Sequence, residues 1–262
     1  MSGFDKTWLA LREPVDQRSR DLGLLEQAAA LLNGSEVRAV FDIGCGTGST
    51  YRSLSPKIGW EVSWTLLDHD AGLLAEAARR HPAAGLAFLR GDLNDLATLP
   101  LAGKKLVTAS AFFDLCSTDY IFRLVERVAE ERIALYAALN YDGGMHWSVK
   151  HPLDQAVMHA FNKHQQTDKG FGAAAGPQAW RDLSQLLRER GYSVTIAASP
   201  WLMGRDDADL QREFLQGVVR AVREGGALHP SDLTEWHSFR LESIPATASL
   251  CRVGHQDILA FL

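Results

Sequence analysis

A glycine-rich run at residues 42–48, DIGCGTG, constrains the fold of this chain more than any other feature of its sequence. It ends an apolar run at residues 37–43 that is typical of a buried strand, and a helical pattern begins at Thr47. Glycines let a backbone turn tightly and approach a ligand, and the free N–H groups of a helix start face the same place. The run therefore predicts a strand–turn–helix unit with a ligand at the turn.

Short apolar runs alternate with helical patterns through the rest of the first half. The predicted strands are residues 37–43, 62–67, 86–89, 106–109 and 133–139, and the predicted helices are 17–32, 71–80 and 120–131. This alternation is typical of a parallel sheet wound by right-handed crossovers, whose ligands bind at the carboxyl ends of the strands.

The pattern changes after residue 140. A loop is predicted at residues 141–144 and a mobile, glycine-rich connector at 169–177. The predicted helices are residues 154–166, 178–190, 207–223 and 233–240, and the predicted strands are 192–197 and 246–253.

Acidic residues follow three successive predicted strands. A dinucleotide loop, GxGxxG, would have glycine where Ser49 stands. Asp68, after the second strand, can accept hydrogen bonds from ribose hydroxyls. A dinucleotide and any other adenosine ligand both offer such hydroxyls, so Asp68 does not distinguish them. Asp92, after the third strand, can accept from an adenine amino group and favours a ligand other than a dinucleotide. The alternative roles are a loop cap for Asp42 and helix caps for Asp68 and Asp92.

Residues 37–140 resemble the core of the class I S-adenosylmethionine-dependent methyltransferases. Residues 42–48 are similar to the family's first motif, 67–70 to its second and 91–93 to its third, while 108–115 occupy the segment that flanks the transferable methyl group. The resemblance implies an α/β fold: a seven-stranded doubly wound sheet, mostly parallel, with strand seven antiparallel and with helical cap elements. The long helical connection at residues 200–245 departs from the family.

One domain is expected over residues 1–262. It divides into an N-terminal helical cap (1–36), a cofactor-binding core (37–140), and substrate-side helices with a C-terminal hairpin (141–262). Within the N-terminal part, residues 8–20 are expected to cover the cofactor, with Arg12 or Arg18 available to an anionic substrate.

The resemblance also implies roles for individual residues toward S-adenosyl-L-methionine. Gly44, Gly46 and Gly48 would lie under its methionine part, and Asp42 would help to hold its amino group. The remaining contacts are expected from Asp68 at the ribose, from His69, Asp92 and Leu93 at the adenine, and from Ser110 and Ala111 near the sulfonium.

The acceptor is less constrained than the donor. Histidine is a natural general base, and His146 and His164, with Asp114, are the candidate catalytic residues. Residues 161–172 form a candidate substrate lid with Gly170 and Gly172 as hinges. No metal site is expected, because no histidine pair has the helical spacing of a zinc site.

Composition narrows the function. The 262 residues are 46% hydrophobic and 23% charged, typical of a soluble globular protein, and the net charge of −5 opposes a nucleic-acid-binding face. Three scattered cysteines and the lack of a signal peptide or membrane span indicate a cytoplasmic protein. The leading function is methyl transfer to an oxygen or nitrogen of a small molecule. The alternatives are an RNA methyltransferase, a non-catalytic S-adenosylmethionine-binding protein and a nicotinamide-dependent dehydrogenase.

Overall fold

A mixed β-sheet lies at the centre of the computed structural model, which describes residues 6–82 and 85–262. Its strands are β1 (Ala39–Ile43), β2 (Ser63–Asp68), β3 (Leu86–Arg90), β4 (Leu106–Ser110), β5 (Ala134–Trp147), β6 (Ser193–Ala198), β7 (Trp201–Met203) and β8 (Cys251–Phe261). The order across the sheet is β3-β2-β1-β4-β5-β8-β6, and β7 pairs with β8 outside this order.

Strands β1 to β5 run parallel, and β8 runs antiparallel to β5, β6 and β7. The mixed α/β sheet predicted from the sequence is confirmed. The short strand β7 is an addition, since three residues are too few to show a period. The predicted bounds of the last strand, 246–253, are wrong, because a turn closed by the Ser249 N–H and the Ala246 carbonyl occupies its first residues.

The helices pack on both faces of the sheet and beyond its β5–β8 end. They are α1 (Lys6–Ser19), α2 (Leu22–Asn33), α3 (Ser49–Leu54), α4 (Ala71–Arg80), α5 (Thr118–Glu130), α6 (Asp154–Gln165), α7 (Ala179–Glu189), α8 (Ala208–Gly225) and α9 (Pro230–Ser243). None of the helices in the described part of the chain is long and apolar enough to cross a membrane.

Two helices replace the single helix predicted at residues 17–32. The break falls at Arg20 and Asp21, because the Asp21 carboxylate accepts a hydrogen bond from the Leu24 N–H at 2.8 Å and so begins α2. The break leaves Arg20 between two helices, with its side chain buried.

The predicted loop at residues 141–144 is wrong, because these residues belong to β5. The pairing of β5 with β8 shifts register between Ala137 and Asn140 and again between Tyr141 and Met145. Gly143 has φ +92°, which glycine tolerates, and the Gly-Gly pair lies within an irregular strand instead of ending it.

The predicted mobile connector at residues 169–177 is a packed turn. A bridge between Asp168 and Ala173 closes it, and Gly170 and Gly172 both have positive φ. At its tip, the Phe171 ring packs against aromatic side chains of the main core, with the Phe112 ring centroid 5.4 Å away and that of Tyr120 4.9 Å away. The turn is therefore part of the core that supports the sheet's carboxyl edge.

Three hydrophobic clusters hold these layers together. One joins the sheet to α5 and α7, and a second joins the opposite face to α2. The third lies around the far end of β5 and β8 with β7, α1, α6, α8 and α9. The cap helices thus share a core with the ends of two central strands.

Candidate functional site

The glycine run forms a tight turn between β1 and α3, at the carboxyl edge of the parallel strands. Gly44, Gly46 and Gly48 have φ values of +60°, +54° and +85°, a region in which a side chain would be strained. The turn is anchored to β2, since the Cys45 N–H donates to the Leu67 carbonyl at 3.0 Å. Its backbone can approach a ligand closely.

Asp68 shapes this turn. One carboxylate oxygen accepts from the Gly46 N–H at 2.8 Å and the other from the Asp70 N–H at 3.0 Å. The His69 side chain is exposed, with its Nδ1 3.3 Å from the Asp68 carboxylate. Each carboxylate oxygen has a second lone pair, so Asp68 retains the capacity to accept from two hydroxyl groups.

Asp92 lies in the exposed turn after β3, where its carboxylate accepts from the backbone and side-chain N–H groups of Asn94 at 2.9 and 3.2 Å. The adjacent Leu93 is buried, and its carbonyl accepts from the Tyr120 hydroxyl at 3.0 Å. Asn94 also donates to the Gly170 carbonyl at 3.0 Å. The end of β3 and the 168–173 turn are therefore held side by side.

Asp42 is fully buried in β1. The Thr108 hydroxyl donates to its Oδ1 at 2.6 Å, while Oδ2 has no hydrogen-bond partner among the described residues. Burial raises the pKa of Asp42 to about 7, an effect opposed by the Thr108 hydrogen bond and by the charge of Arg20. This carboxyl group is half-ionised near neutral pH.

Arg20 lies within electrostatic range of Asp42 at the turn, although the sequence pattern pointed to Arg12 and Arg18 instead. Its Nη2 donates to the Ser110 hydroxyl at 2.9 Å and lies 3.4 Å from the Ser49 hydroxyl. Its Nε and Nη1 are buried and form no geometric hydrogen bond within residues 6–82 and 85–262, while Tyr136 and the carboxylates of Asp257 and Asp16 lie within electrostatic range of the guanidinium. The only sequence signal for it is an arginine just before a helix cap.

Arg20 and Asp42 together suit a ligand that carries both a negative and a positive group. Leaving a buried donor or acceptor unpaired is costly, and the cost is larger for charged groups. A ligand with an ammonium group for Asp42 and a carboxylate for Arg20 would satisfy both, which describes an α-amino acid. Asp68 adds acceptors for hydroxyl groups. The residues present thus fit a ligand that joins an amino acid to a sugar.

The segment after β4 passes directly over the glycine turn. Ser110 ends the strand, and Ala111 has φ +49° and donates its N–H to the Ala138 carbonyl at 2.9 Å. A Cβ added to Gly44 would lie 3.0 Å from the Phe112 ring. Residues 110–112 therefore wall the same cleft as the turn.

Helix α1 covers the turn from outside, with Leu9 packed on it: a Cβ added to Gly46 would lie 3.2 Å from Leu9 Cδ1. The Glu13 carboxylate pairs with Arg52 of α3, and its second oxygen lies 3.2 Å from Nη1 of Arg80 on α4. We call this triad the Glu13 latch. It holds α1 against the two helices that follow β1 and β2.

The two arginines of α1 itself are also paired with carboxylates. Arg12 donates to Asp16 at 2.7 Å, and both side chains are buried. Arg18 donates to Asp207 at 2.6 Å at the surface. Their charges are therefore neutralised within the protein.

A second set of polar groups lies beyond β4. Asp114 is in the turn that follows Ser110, and its Oδ1 is buried without a hydrogen-bond partner in the described chain. Burial raises the pKa of Asp114 to about 6, and the charge of Arg12 partly offsets this. Tyr141 of β5 is near enough for the charge of Asp114 to affect its ionisation.

His255 of β8, opposite Tyr141 in register, was not among the sequence candidates. Its ring centroid is 6.1 Å from that of Tyr141 and 5.1 Å from that of Trp201. Burial lowers the pKa of His255 to about 3, so its imidazole is neutral, and its Nδ1 has no partner in the part of the chain that is described. His255 lies at this site because it pairs opposite Tyr141 in the β5–β8 register, and not because it is near the other site residues in the sequence.

The structure places the two candidate histidines elsewhere. His146 is exposed near the far end of β5, opposite Arg252. His164 lies on α6, where its Nε2 is 3.0 Å from the Glu224 carboxylate and its Nδ1 is 3.4 Å from Lys169. Neither makes a hydrogen bond or ion pair with Asp114 in the described structure, and of the three candidates only Asp114 lies at the cleft.

Comparison with known proteins gives a family match for the segment that contains the glycine turn. Residues 40–131 match the family model described as a methyltransferase domain. No match was found among curated proteins. A cyclopropane-fatty-acyl-phospholipid synthase-like protein from Lactobacillus casei is 14% identical, with 95% of this chain and 99% of that chain covered and a TM-score of 0.53. The YcgJ protein from Bacillus subtilis is 13% identical, with 92% and 99% covered and a TM-score of 0.51. At these identities the similarity shows a shared fold.

Proposed function

We propose that this chain, whose residues 40–131 match a methyltransferase domain, is a class I S-adenosylmethionine-dependent methyltransferase and that its methyl acceptor is a small molecule with an oxygen or nitrogen nucleophile. The enzyme class and the cofactor follow from the family. The acceptor, the contacts of individual residues and a cytoplasmic location are our proposals.

The observation that carries the proposal is that Arg20 and Asp42, within electrostatic range of each other at the glycine turn, both have buried side-chain atoms without a hydrogen-bond partner among the described residues. We infer that Arg20 binds the carboxylate of the cofactor's methionine part and that the free Oδ2 of Asp42 accepts from its ammonium group. Gly44, Gly46 and Gly48 would supply the close backbone approach under the same part of the cofactor.

The rest of the cofactor would follow the edge of the sheet. Asp68 would accept from the ribose hydroxyls while it holds the turn, and His69, Asp92 and Leu93 would border the adenine. Ser110 and Ala111 would lie near the sulfonium, since Ser110 shares Arg20 with the methionine part.

Bound S-adenosylmethionine supplies an electrophilic methyl group. The protein's part is to align the acceptor with that group and to exclude water. Helix α1 would exclude water, because Leu9 and the Glu13 latch close the cleft over the glycine turn.

An RNA acceptor is the alternative within the same chemistry. RNA binding needs a face of unpaired Lys and Arg. The arginines around α1 pair with Asp16, Asp207 and Glu13 instead, and the net charge is −5. These charges favour the small molecule.

Methyl-labelled cofactor incubated separately with a metabolite extract and with total RNA tests the proposal. We expect label in a small molecule, to be identified by mass spectrometry. Label in RNA would contradict the proposal, and a protein that binds S-adenosylhomocysteine but labels neither would be a non-catalytic binding protein.

A matched pair of variants connects that transfer to the cleft. Asp68→Asn should lose S-adenosylhomocysteine affinity and transfer together, whereas Asp95→Asn, exposed in the turn after β3, should lose neither. A thermal shift with NAD and none with S-adenosylhomocysteine would overturn the cofactor assignment.

A further inference from the structure

The polar groups beyond Ser110 are not used by any contact proposed for the cofactor. Asp114 Oδ1 and His255 Nδ1 are both buried and, within the described residues, both lack a hydrogen-bond partner. Buried polar atoms are rarely left unpaired, and each such atom needs an explanation. Two of them on the acceptor side of one cleft point to a ligand there.

Tyr141 connects the two. It lies opposite His255 in the strand register and within electrostatic range of Asp114. Its hydroxyl is already committed, because it donates to the Asn162 side chain at 2.7 Å, and Asn162 in turn donates to the Gly143 carbonyl at 2.9 Å. Tyr141 is thus held in place beside His255 and near Asp114, and the unpartnered atoms of those two residues remain available.

The position of Asp114 suits a group that acts on the acceptor. It is four residues beyond Ser110 in the segment that walls the cleft, and it is held by a short 3₁₀ turn, Phe113–Leu115, whose Phe113 is fully buried. A carboxylate set by a packed turn next to the reacting centre is positioned to take a proton.

We infer that the acceptor binds between Asp114 and His255, and that Asp114 is the catalytic base that takes a proton from the acceptor's hydroxyl or ammonium group and so frees the electron pair that attacks the methyl carbon. This inference rests on the proposed function and names the acceptor class for the same site. His255 supplies a neutral hydrogen-bonding partner.

The step balances with the groups named. The acceptor's oxygen or nitrogen forms a bond to the methyl carbon as the carbon–sulfur bond breaks, and the sulfur keeps that electron pair. The proton on the oxygen or nitrogen passes to the Asp114 carboxylate, which becomes a neutral acid and later releases the proton to solvent. The sulfonium charge and the carboxylate charge disappear together.

The pH dependence follows from the surroundings of Asp114. The charged and titratable groups near it are Arg12 on α1, Tyr141 on β5 and Cys116 in its own turn. On α7, which packs on the same turn, the Asp182 carboxylate accepts instead from Thr118. The pKa of Asp114 is raised to about 6 by burial, so the ionised form that accepts a proton is lost as pH falls through 6.

The test measures transfer of labelled methyl to metabolite extract at saturating cofactor, between pH 5 and 8, for the native protein, Asp114→Asn and Asp119→Asn. We expect the native rate to fall about tenfold per pH unit below 6. Asp114→Asn should lose at least about a hundredfold in rate and lose this pH dependence. Asp119→Asn, an exposed carboxylate on α5, should match the native protein.

Binding and heat stability give readouts that do not depend on turnover. Asp114→Asn should bind S-adenosylhomocysteine within about twofold of the native protein, which also shows that the variant is folded. It should melt at a higher temperature than the native protein at pH 8, because a buried unpaired charge has been removed.

Three results would overturn the inference. The first is transfer by Asp114→Asn within about threefold of the native rate, and the second is a native pH profile that the substitution leaves unchanged. The third is no gain in melting temperature at pH 8. Absence of transfer by the native protein at every pH would instead overturn the proposed function, and this inference with it.

Discussion

The Arg20 guanidinium donates to the Ser110 hydroxyl at 2.9 Å. This hydrogen bond connects the break between helices α1 and α2 to the end of the central strand β4. The two residues are 90 positions apart in the chain. This contact makes the N-terminal segment part of the cleft at the glycine turn.

Replacing Arg20 by Met should weaken binding of S-adenosylhomocysteine about 10- to 100-fold, the usual worth of hydrogen bonds to a charged group. 5′-Methylthioadenosine, which lacks the amino acid part, should bind both proteins equally. Titration calorimetry with the two ligands separates these effects. An equal loss for both ligands would show that Arg20 supports the fold of the cleft instead of the carboxylate.

Asp42 should make cofactor binding depend on pH. Its pKa is raised to about 7 by burial, and an ammonium ligand favours the ionised form, so affinity should rise with pH. Between pH 6 and pH 8 the ionised fraction grows from about one-tenth to nine-tenths, which predicts S-adenosylhomocysteine binding about tenfold tighter at pH 8.

The Asp42→Asn variant supplies the control for that measurement. Its affinity should be weak and nearly constant over the same range. A pH dependence that survives the substitution would assign the titrating group to another residue.

Opening the Glu13 latch should speed escape of the ligand. Glu13→Gln removes the charge that pairs with Arg52 and Arg80, and we expect the dissociation rate of S-adenosylhomocysteine to rise about tenfold, equivalent to about 1.4 kcal/mol. Stopped-flow displacement measures this rate. Glu26→Gln, which removes a weak surface pair with Lys57, should leave the rate unchanged.

Gly254 should be intolerant of any side chain. A Cβ there would lie 1.9 Å from Oδ1 of Asp142, which also accepts from the Gly144 N–H. Gly254→Ala should destabilise the protein by about 2 kcal/mol or more in chemical unfolding, through overpacking. Gly217→Ala, on the exposed face of α8 with open space around it, should be neutral or stabilising.

The sequence was most informative where the site is local. The glycine turn, Asp68 and Asp92 each lie at the end of a short apolar strand, and the position of a strand end decides which edge of the sheet its next residue reaches. Periodicity and turn chemistry were therefore enough to bring these residues together at one edge.

The residues that were missed depend on packing between distant segments. Arg20 joins the cleft because Asp21 caps a new helix, which interrupts a pattern that looked continuous. His255 joins it because β8 pairs with β5, and nothing in the residues around His255 indicates that register. Residues 141–144 were mistaken for a loop because Gly-Gly is common in turns and is also tolerated in a strand irregularity.

The long ribbon of β5 and β8 has a consequence for how such proteins diversify. It runs from the interior of the sheet into the cap, and its two register shifts set the facing of Tyr141 and His255. The two residues proposed to border the acceptor therefore lie on the same two strands that support the cap. A cap transplanted from another enzyme would have to preserve the ribbon's length and both irregularities, so modular exchange of specificity is restricted to the helices beyond Trp147.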